Sequence, residues 1–142
     1  GRELEQMRLL DAEYLRRWNA LPYGNDDLVY YLGDNVSFSF TWSATSGRIP
    51  TYRTNSGKYF HRQSMRWLVA ADKLASLGWP VTEECANSMG VKPIPIIDPA
   101  RGDLFCGNAM HLTNSTIVLL LGLCCFGQKP IASDPIDWTR AP

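Results

Sequence analysis

The chain has 142 residues, 45% of them hydrophobic and 20% charged, with 14 Lys+Arg balanced by 14 Asp+Glu. This size and composition exclude a disordered segment and allow one modest folded domain with its own core. A formal net charge of zero argues against a free-standing nucleic-acid binder, which is usually basic, yet leaves room for a module that touches DNA while another part supplies the positive field.

The chain opens Gly1-Arg2-Glu3 without an initiator Met, as a processed product or excised segment does, and this charged start is not a signal peptide. Leu4, Met7, Leu10, Tyr14, Leu15, Trp18 and Leu21 recur at helical spacing, with Glu3, Glu5, Arg8, Asp11, Arg16 and Arg17 on the other face. They predict an amphipathic helix over residues 3–20, ended by Pro22, Gly24 and Asn25. Residues 26–32 read as a short strand. Val36, Phe38, Phe40 and Trp42 alternate with Ser37, Ser39 and Thr41, which predicts a strand with one buried face. Residues 43–48 form a turn, 49–53 are extended because Pro50 disfavours helix before it, and Asn55-Ser56-Gly57 turns the chain again.

Residues 59–68 are predicted as a strand and 70–77 as a helix stopped by Gly78. Residues 80–97 are mixed and loop-rich, since Pro95 bars a helix interior, and 98–103 are a turn. Residues 112–126 form the second strong helix, with Thr113, Asn114 and Ser115 as cap candidates and Gly127 as its stop. The polar tail 128–142 has Ile131, Ile136 and Trp138 as docking residues. The apolar run 117–126 is about half of the roughly 20 residues a membrane span needs, so it reads as a core helix buried on more than one side. Cys85, Cys106, Cys124 and Cys125 form no Cys-x-x-Cys pair and have no histidine at zinc spacing. They read as free, mostly buried thiols in a reducing intracellular compartment. The alternative, two disulfides in a secreted domain, is disfavoured by the large apolar helix.

Three segments in order carry a resemblance. Asp27-Leu28-Val29-Tyr30-Tyr31-Leu32-Gly33-Asp34-Asn35 is followed by Ile49-Pro50-Thr51 and a polar patch from Arg53 to Ser56. Arg66-Trp67-Leu68 then leads through Asp72 to Gly78-Trp79-Pro80. Gly107-Asn108-Ala109-Met110-His111 opens the last apolar helix. Together these resemble the C-terminal region of DNA (cytosine-5) methyltransferases, in the form found in protist homologues, over residues 27–126. Asp72 stands for the family's glutamate. Val69 replaces its threonine and Leu77 its glutamine, departures that remove a helix cap and an amide.

The resemblance implies an α+β fold: a partial C-terminal portion of a Rossmann-like α/β methyltransferase, with two main helices, short strands and long loops. Its parts are an N-terminal helix (1–22), a target-recognition-like region (23–102), the final motif and core helix (103–127) and a tail (128–142). It implies DNA contacts from Thr51, Arg53, Asn55 and Arg66. It also implies an S-adenosylmethionine pocket wall from Gly107, Asn108, Ala109 and Met110, with the last helix packed on the catalytic half. Arg66 has a second reading, pairing with Asp72 to hold the helix. His111 reads as a packing or capping residue, His61 as a solvated strand position and Trp79 as a core aromatic.

The residues that do the chemistry in that family are missing. No Pro is followed by Cys, no Glu-Asn dipeptide occurs, and no Gly-x-Gly turn follows a strand. Cys85 follows Glu84 in a polar stretch without an activating base. The expected function is therefore a segment of an S-adenosylmethionine-dependent enzyme, not catalytic alone. Its expected partners are DNA and the absent catalytic region, in cis or in trans, with no membrane, a tendency of the isolated chain to self-associate, and a nuclear location in a eukaryote. The alternative is a non-catalytic nucleic-acid-binding or scaffold module derived from that fold. The isolated chain should transfer no methyl group to cytosine in duplex DNA. Turnover above blank in a labelled-methyl assay, abolished by Cys85→Ala, would contradict this.

Overall fold

A first helix, α1 (Arg2–Trp18), ends on Asn19 in the left-handed region at φ 48°. A 3-10 turn at Pro22–Gly24 follows and leads into β1 (Val29–Tyr31). Strands β2 (Tyr59–His61) and β3 (Arg66–Trp67) complete a three-stranded antiparallel sheet in the order β1-β2-β3. Four helices follow: α2 (Ala70–Ser76), α3 (Glu83–Met89), α4 (Pro99–Asn108) and α5 (Leu112–Cys125). This computed structural model describes residues 1–53 and 58–125. The expected turn at 55–57, Phe126 and the tail 128–142 with its docking residues lie outside them. The described chain is thus mixed α+β, and its two longest helices are the two expected.

The strand β1 is buried on both faces, because residues alternate sides of a strand. Leu28, Tyr30 and Leu32 join Leu10 and Tyr14 of α1, Val36, Trp42 and Phe60 in one cluster. Val29 and Tyr31 join Tyr52, Tyr59, Leu68, Leu74 and Cys106 in a second. β1 pairs with β2 through Val29↔His61, Tyr30↔Phe60 and Tyr31↔Tyr59. On its other edge the Val29 amide donates to Ser43 Oγ at 2.9 Å, and that hydroxyl donates to the Asp27 carbonyl at 2.6 Å. The Tyr30 hydroxyl donates to Asp11 Oδ1 at 2.9 Å. Arg62 clamps the same carboxylate. Burial, and then the Asp11 charge, push the Tyr30 phenol well above its usual range.

Helix α1 uses a narrower face than its stripe. Gln6, Leu10 and Tyr14 are buried, at i, i+4 spacing. Gln6 Oε1 accepts the Val36 amide at 2.8 Å. Leu4, Leu15, Trp18 and Leu21 remain partly exposed.

Five expectations are corrected. The single strand expected over 59–68 is two, β2 and β3, paired antiparallel across a turn at 62–65. The strand expected over 36–42 is a turn plus one bridge, Tyr30↔Trp42. Asn35 explains this: its side chain accepts the Ser37 amide, and its carbonyl accepts those of Phe38 and Ser39, so a side-chain-seeded turn outcompetes the strand. Phe38 is left 89% exposed. The turn expected at 98–103 is instead the start of α4. Asp98 caps the amides of Ala100 and Arg101, and Pro99 occupies the first helical position, where its missing amide costs nothing. Helix α3 arises inside the loop-rich segment, capped by Thr82 and stopped at Gly90 (φ 66°).

The last correction concerns α5, which has no buried residue. Leu119, Leu120, Leu121 and Leu123 are exposed, so the helix is not covered by any described part of this chain. Cys124 and Cys125 are exposed with it, and only Cys106 is buried. The thiols are free, as expected among the described residues, but not mostly buried. Thr113, Asn114 and Ser115 lie inside the first turn of α5 rather than capping it. Ser115 and Thr116 bond back to the His111 and Leu112 carbonyls. Among the described residues no single helix is long and apolar enough to cross a membrane; α4 and α5 together, bent by 50°, meet that length and composition.

Leu28 is fully buried in the first cluster while Leu4 is 46% exposed. Leu28→Ala should cost about 2–5 kcal/mol in a urea melt, the range for buried leucines, and Leu4→Ala under about 0.5 kcal/mol. Equal melts for the two variants would refute the two-cluster account.

Candidate functional site

Helix α2 is built to hold position. Its first residue follows Val69, which has no acceptor to cap the helix, as the sequence implied. Asp72 supplies the reciprocal bond instead, its Oδ2 accepting the Val69 amide at 2.9 Å. The same carboxylate takes a bidentate pair from Arg66 at 2.6 and 3.0 Å. Helix α4 packs on α2 at close range: a methyl added at Gly102 would sit 2.9 Å from the Ala70 Cβ. Buried Lys73 of α2 donates to Asp103 of α4 at 2.7 Å, with its ammonium 5.6 Å from the Tyr59 ring centroid.

Beside this pair of helices runs a cleft of about 620 Å³. The extended segment 48–52 forms one wall. Ser76, Leu77, Cys106, Gly107, Ala109, His111 and Asn114 form the other. The Tyr52 hydroxyl meets Ser76 Oγ at 2.7 Å, and Ser76 donates to the Lys73 carbonyl at 2.7 Å. Tyr52 therefore ties the extended segment to α2, and burial pushes its phenol up to about 12. The Tyr59 hydroxyl holds the Thr51 carbonyl at 2.6 Å. Gly78, at φ +80°, turns the chain under the His111 ring. Burial likewise raises the Cys106 thiol, which is therefore a poor nucleophile at neutral pH.

The cleft brings together two segments that the sequence singled out, Thr51 and Gly107 being 56 positions apart. Thr51 lines it from one side, Gly107 and Ala109 from the other. Gly107 and Asn108 lie in the last turn of α4 rather than opening the last helix, which begins at Leu112. The Asn108 carboxamide donates to the Leu104 carbonyl of its own helix at 3.2 Å, and Met110 is exposed. Of these four residues, Gly107 and Ala109 line the cleft and Asn108 and Met110 do not.

The two arginines expected at DNA are both engaged with carboxylates. Arg53 makes a bidentate pair with Asp34 at 2.8 and 2.9 Å and lies over the Tyr31 ring. Burial alone would raise the Asp34 carboxyl, but hydrogen bonds from Arg53 and Thr41 outweigh it and hold it below the usual range. Arg66 follows its second reading, pairing with Asp72. Asn55 lies outside the described residues. His61 bridges Ser64 and the Asp26 carbonyl, a structural position. Trp79 packs edge-on to Phe105 and donates to the Met110 carbonyl at 3.3 Å, which fits the core-aromatic reading. Sequence reasoning gave no binding role to Arg48, Tyr52, Ser76 or Asn114. The one available signal was that Arg48 directly precedes Ile49-Pro50-Thr51.

Among the described residues no group of His, Cys, Asp and Glu is placed to hold a metal ion. No family model matches the chain, and no curated protein or solved structure is similar to it.

Hydrogen bonds from Arg66, and then from the Val69 amide, hold the Asp72 carboxyl below its usual value. A depressed folded value adds stability above the unfolded value near 4 and loses it as pH falls through the folded one. Asp72→Ala should cost about 1 kcal/mol at pH 7, the size of a lost cap, read as a Tm lower by about 2–5 °C. The gap to wild type should close below about pH 4. A constant gap across that range would mean that the charge of Asp72 does not hold α2.

Proposed function

We propose that this chain is the C-terminal segment of a DNA (cytosine-5) methyltransferase-like protein, a partial Rossmann-like portion that does not catalyse alone. The observation that carries this reading is α5. Its apolar residues stand in solvent on every side, although a 14-residue helix is marginal in water without tertiary packing. Such a surface marks a missing partner. The reading names the partner: the catalytic half of the same protein, in cis or in trans.

Further support comes from the cleft, where residues of two segments that carry the resemblance, Ile49-Pro50-Thr51 and Gly107 with Ala109, lie together. In the assembled enzyme Gly107, Asn108, Ala109 and Met110 would wall the S-adenosylmethionine pocket. S-adenosylmethionine supplies the methyl group, and the present residues supply only packing and backbone groups beside it. The nucleic-acid contacts would come from the rim at Thr51. Arg53 and Arg66 would join them only by sharing or releasing their carboxylates.

Two measurements test the reading. The coding sequence upstream of Gly1 should hold a Pro-Cys and a Gly-rich turn after a strand; an upstream region without them would leave the non-catalytic scaffold module in its place. The purified chain should self-associate in sedimentation velocity and bind an apolar dye, and Leu120→Lys with Leu123→Lys should reduce both. A monomer that binds no dye would remove the observation on which the reading stands.

A further inference from the structure

In the cleft between segment 48–52 and the start of α5, the reading above gives roles to Thr51, Gly107 and Ala109 and none to Arg48, His111 or Asn114. Four residues whose side chains can donate hydrogen bonds line this cleft: Arg48, Thr51, His111 and Asn114. None of these side-chain groups has a hydrogen-bond or ion-pair partner among the described residues, whose side-chain bonds otherwise engage most polar groups. No Asp or Glu lines the cleft.

The contrast with the other arginines is the informative part. Arg16 and Arg17 pair with Glu13, Arg53 with Asp34, Arg62 with Asp11, Arg66 with Asp72 and Arg101 with Asp98. Arg2 and Arg8 are also unpaired, but they sit in the first two turns of α1 and do not line this cleft. Among the described residues, then, Arg48 combines an uncommitted guanidinium with a place in a cavity. A ligand complementary to four donors and no acceptor charge is rich in acceptor oxygens and anionic, and a guanidinium selects planar or bidentate oxygen pairs. A volume of about 620 Å³ exceeds a bare tetrahedral anion and falls within the range of small-ligand sites.

We propose that this cleft binds a phosphate carried on a sugar, with Arg48 as its pairing cation and Thr51, His111 and Asn114 as donors. The phosphate has two possible sources, a nucleic-acid backbone or a free nucleotide. The proposal deepens the nucleic-acid part of the reading above and rests on it only for the source. It moves the phosphate contact from Arg53 and Arg66 to Arg48.

The test uses the full chain with two probes, deoxycytidine monophosphate followed by amide chemical shifts and a short fluorescent DNA duplex followed by anisotropy. Arg48→Gln removes the charge and keeps most of the bulk, and Arg2→Gln is the control for loss of any exposed, unpaired arginine. Arg48→Gln should weaken binding of the nucleotide and the duplex about ten-fold and lower the salt slope for the duplex by about one, while Arg2→Gln leaves both nearly unchanged. The nucleotide should shift the amides of Thr51, Gly107 and Asn114. Melts beside each titration confirm that the variants are folded. Arg48-dependent nucleotide binding without duplex binding supports the site and removes the nucleic-acid reading. Duplex binding that ignores Arg48 overturns the site and leaves that reading standing. Failure of both probes to bind the wild-type chain overturns the site.

Discussion

Everything in this structure hangs on a single short strand. β1 is buried on both faces, and its alternation splits the interior into two clusters. Leu28, Tyr30 and Leu32 face α1, while Val29 and Tyr31 face the sheet, α2 and α4. A strand of three paired residues is too short to be stable by its ladder alone. It is held instead by tyrosines and by Ser43 and the Thr41 carbonyl, which bond the edge that β2 does not. The second cluster positions Tyr52, and Tyr52 fixes the extended segment that makes one wall of the cleft. The site therefore depends on β1 at one remove.

The zero net charge is not the mark of a bland surface. Its charges are paired locally: Asp11, Asp34 and Asp72 each engage one arginine, and Glu13 engages two. Pairs as exposed as Arg53–Asp34 contribute at most about 1 kcal/mol each, so their larger effect is on recognition. They remove the positive field from the residues that a motif comparison would send to DNA. They leave Arg48, which no motif names, as the cation beside the cleft.

Much of the fold was legible in the residues, and the exceptions share a cause. α1, β1, α2 and α5 follow from hydrophobic period and from stop residues such as Gly78. The strand expected at 36–42 failed because Asn35 seeds a turn that periodicity does not register. The turn expected at 98–103 failed because Asp98-Pro99 was read as a breaker when it is a cap followed by a first helical position. Gly107-Asn108 failed as well: residues 107–111 read as the opening of the last helix, but the first two of them end α4. For the site, the residues Thr51, Gly107 and Ala109 were singled out separately, but their meeting in one cleft was not, nor were the places of Tyr52, Ser76 and Asn114, because pocket walls formed by packing leave no spacing signature. The apolar character of α5 was legible, but its burial was inferred from that character alone, and no described part of this chain covers it.

A stable two-cluster body carrying an uncovered apolar helix is the central claim. Amide hydrogen exchange on the full chain at high dilution tests it most directly. The amides of Val29, Tyr31 and Phe60 should exchange slowest, near the rate of global unfolding. Those of the exposed helix from Ile117 to Leu123 should exchange orders of magnitude faster. Protection of that helix equal to that of β1 would contradict the account, since it would place the helix inside the same cooperative core.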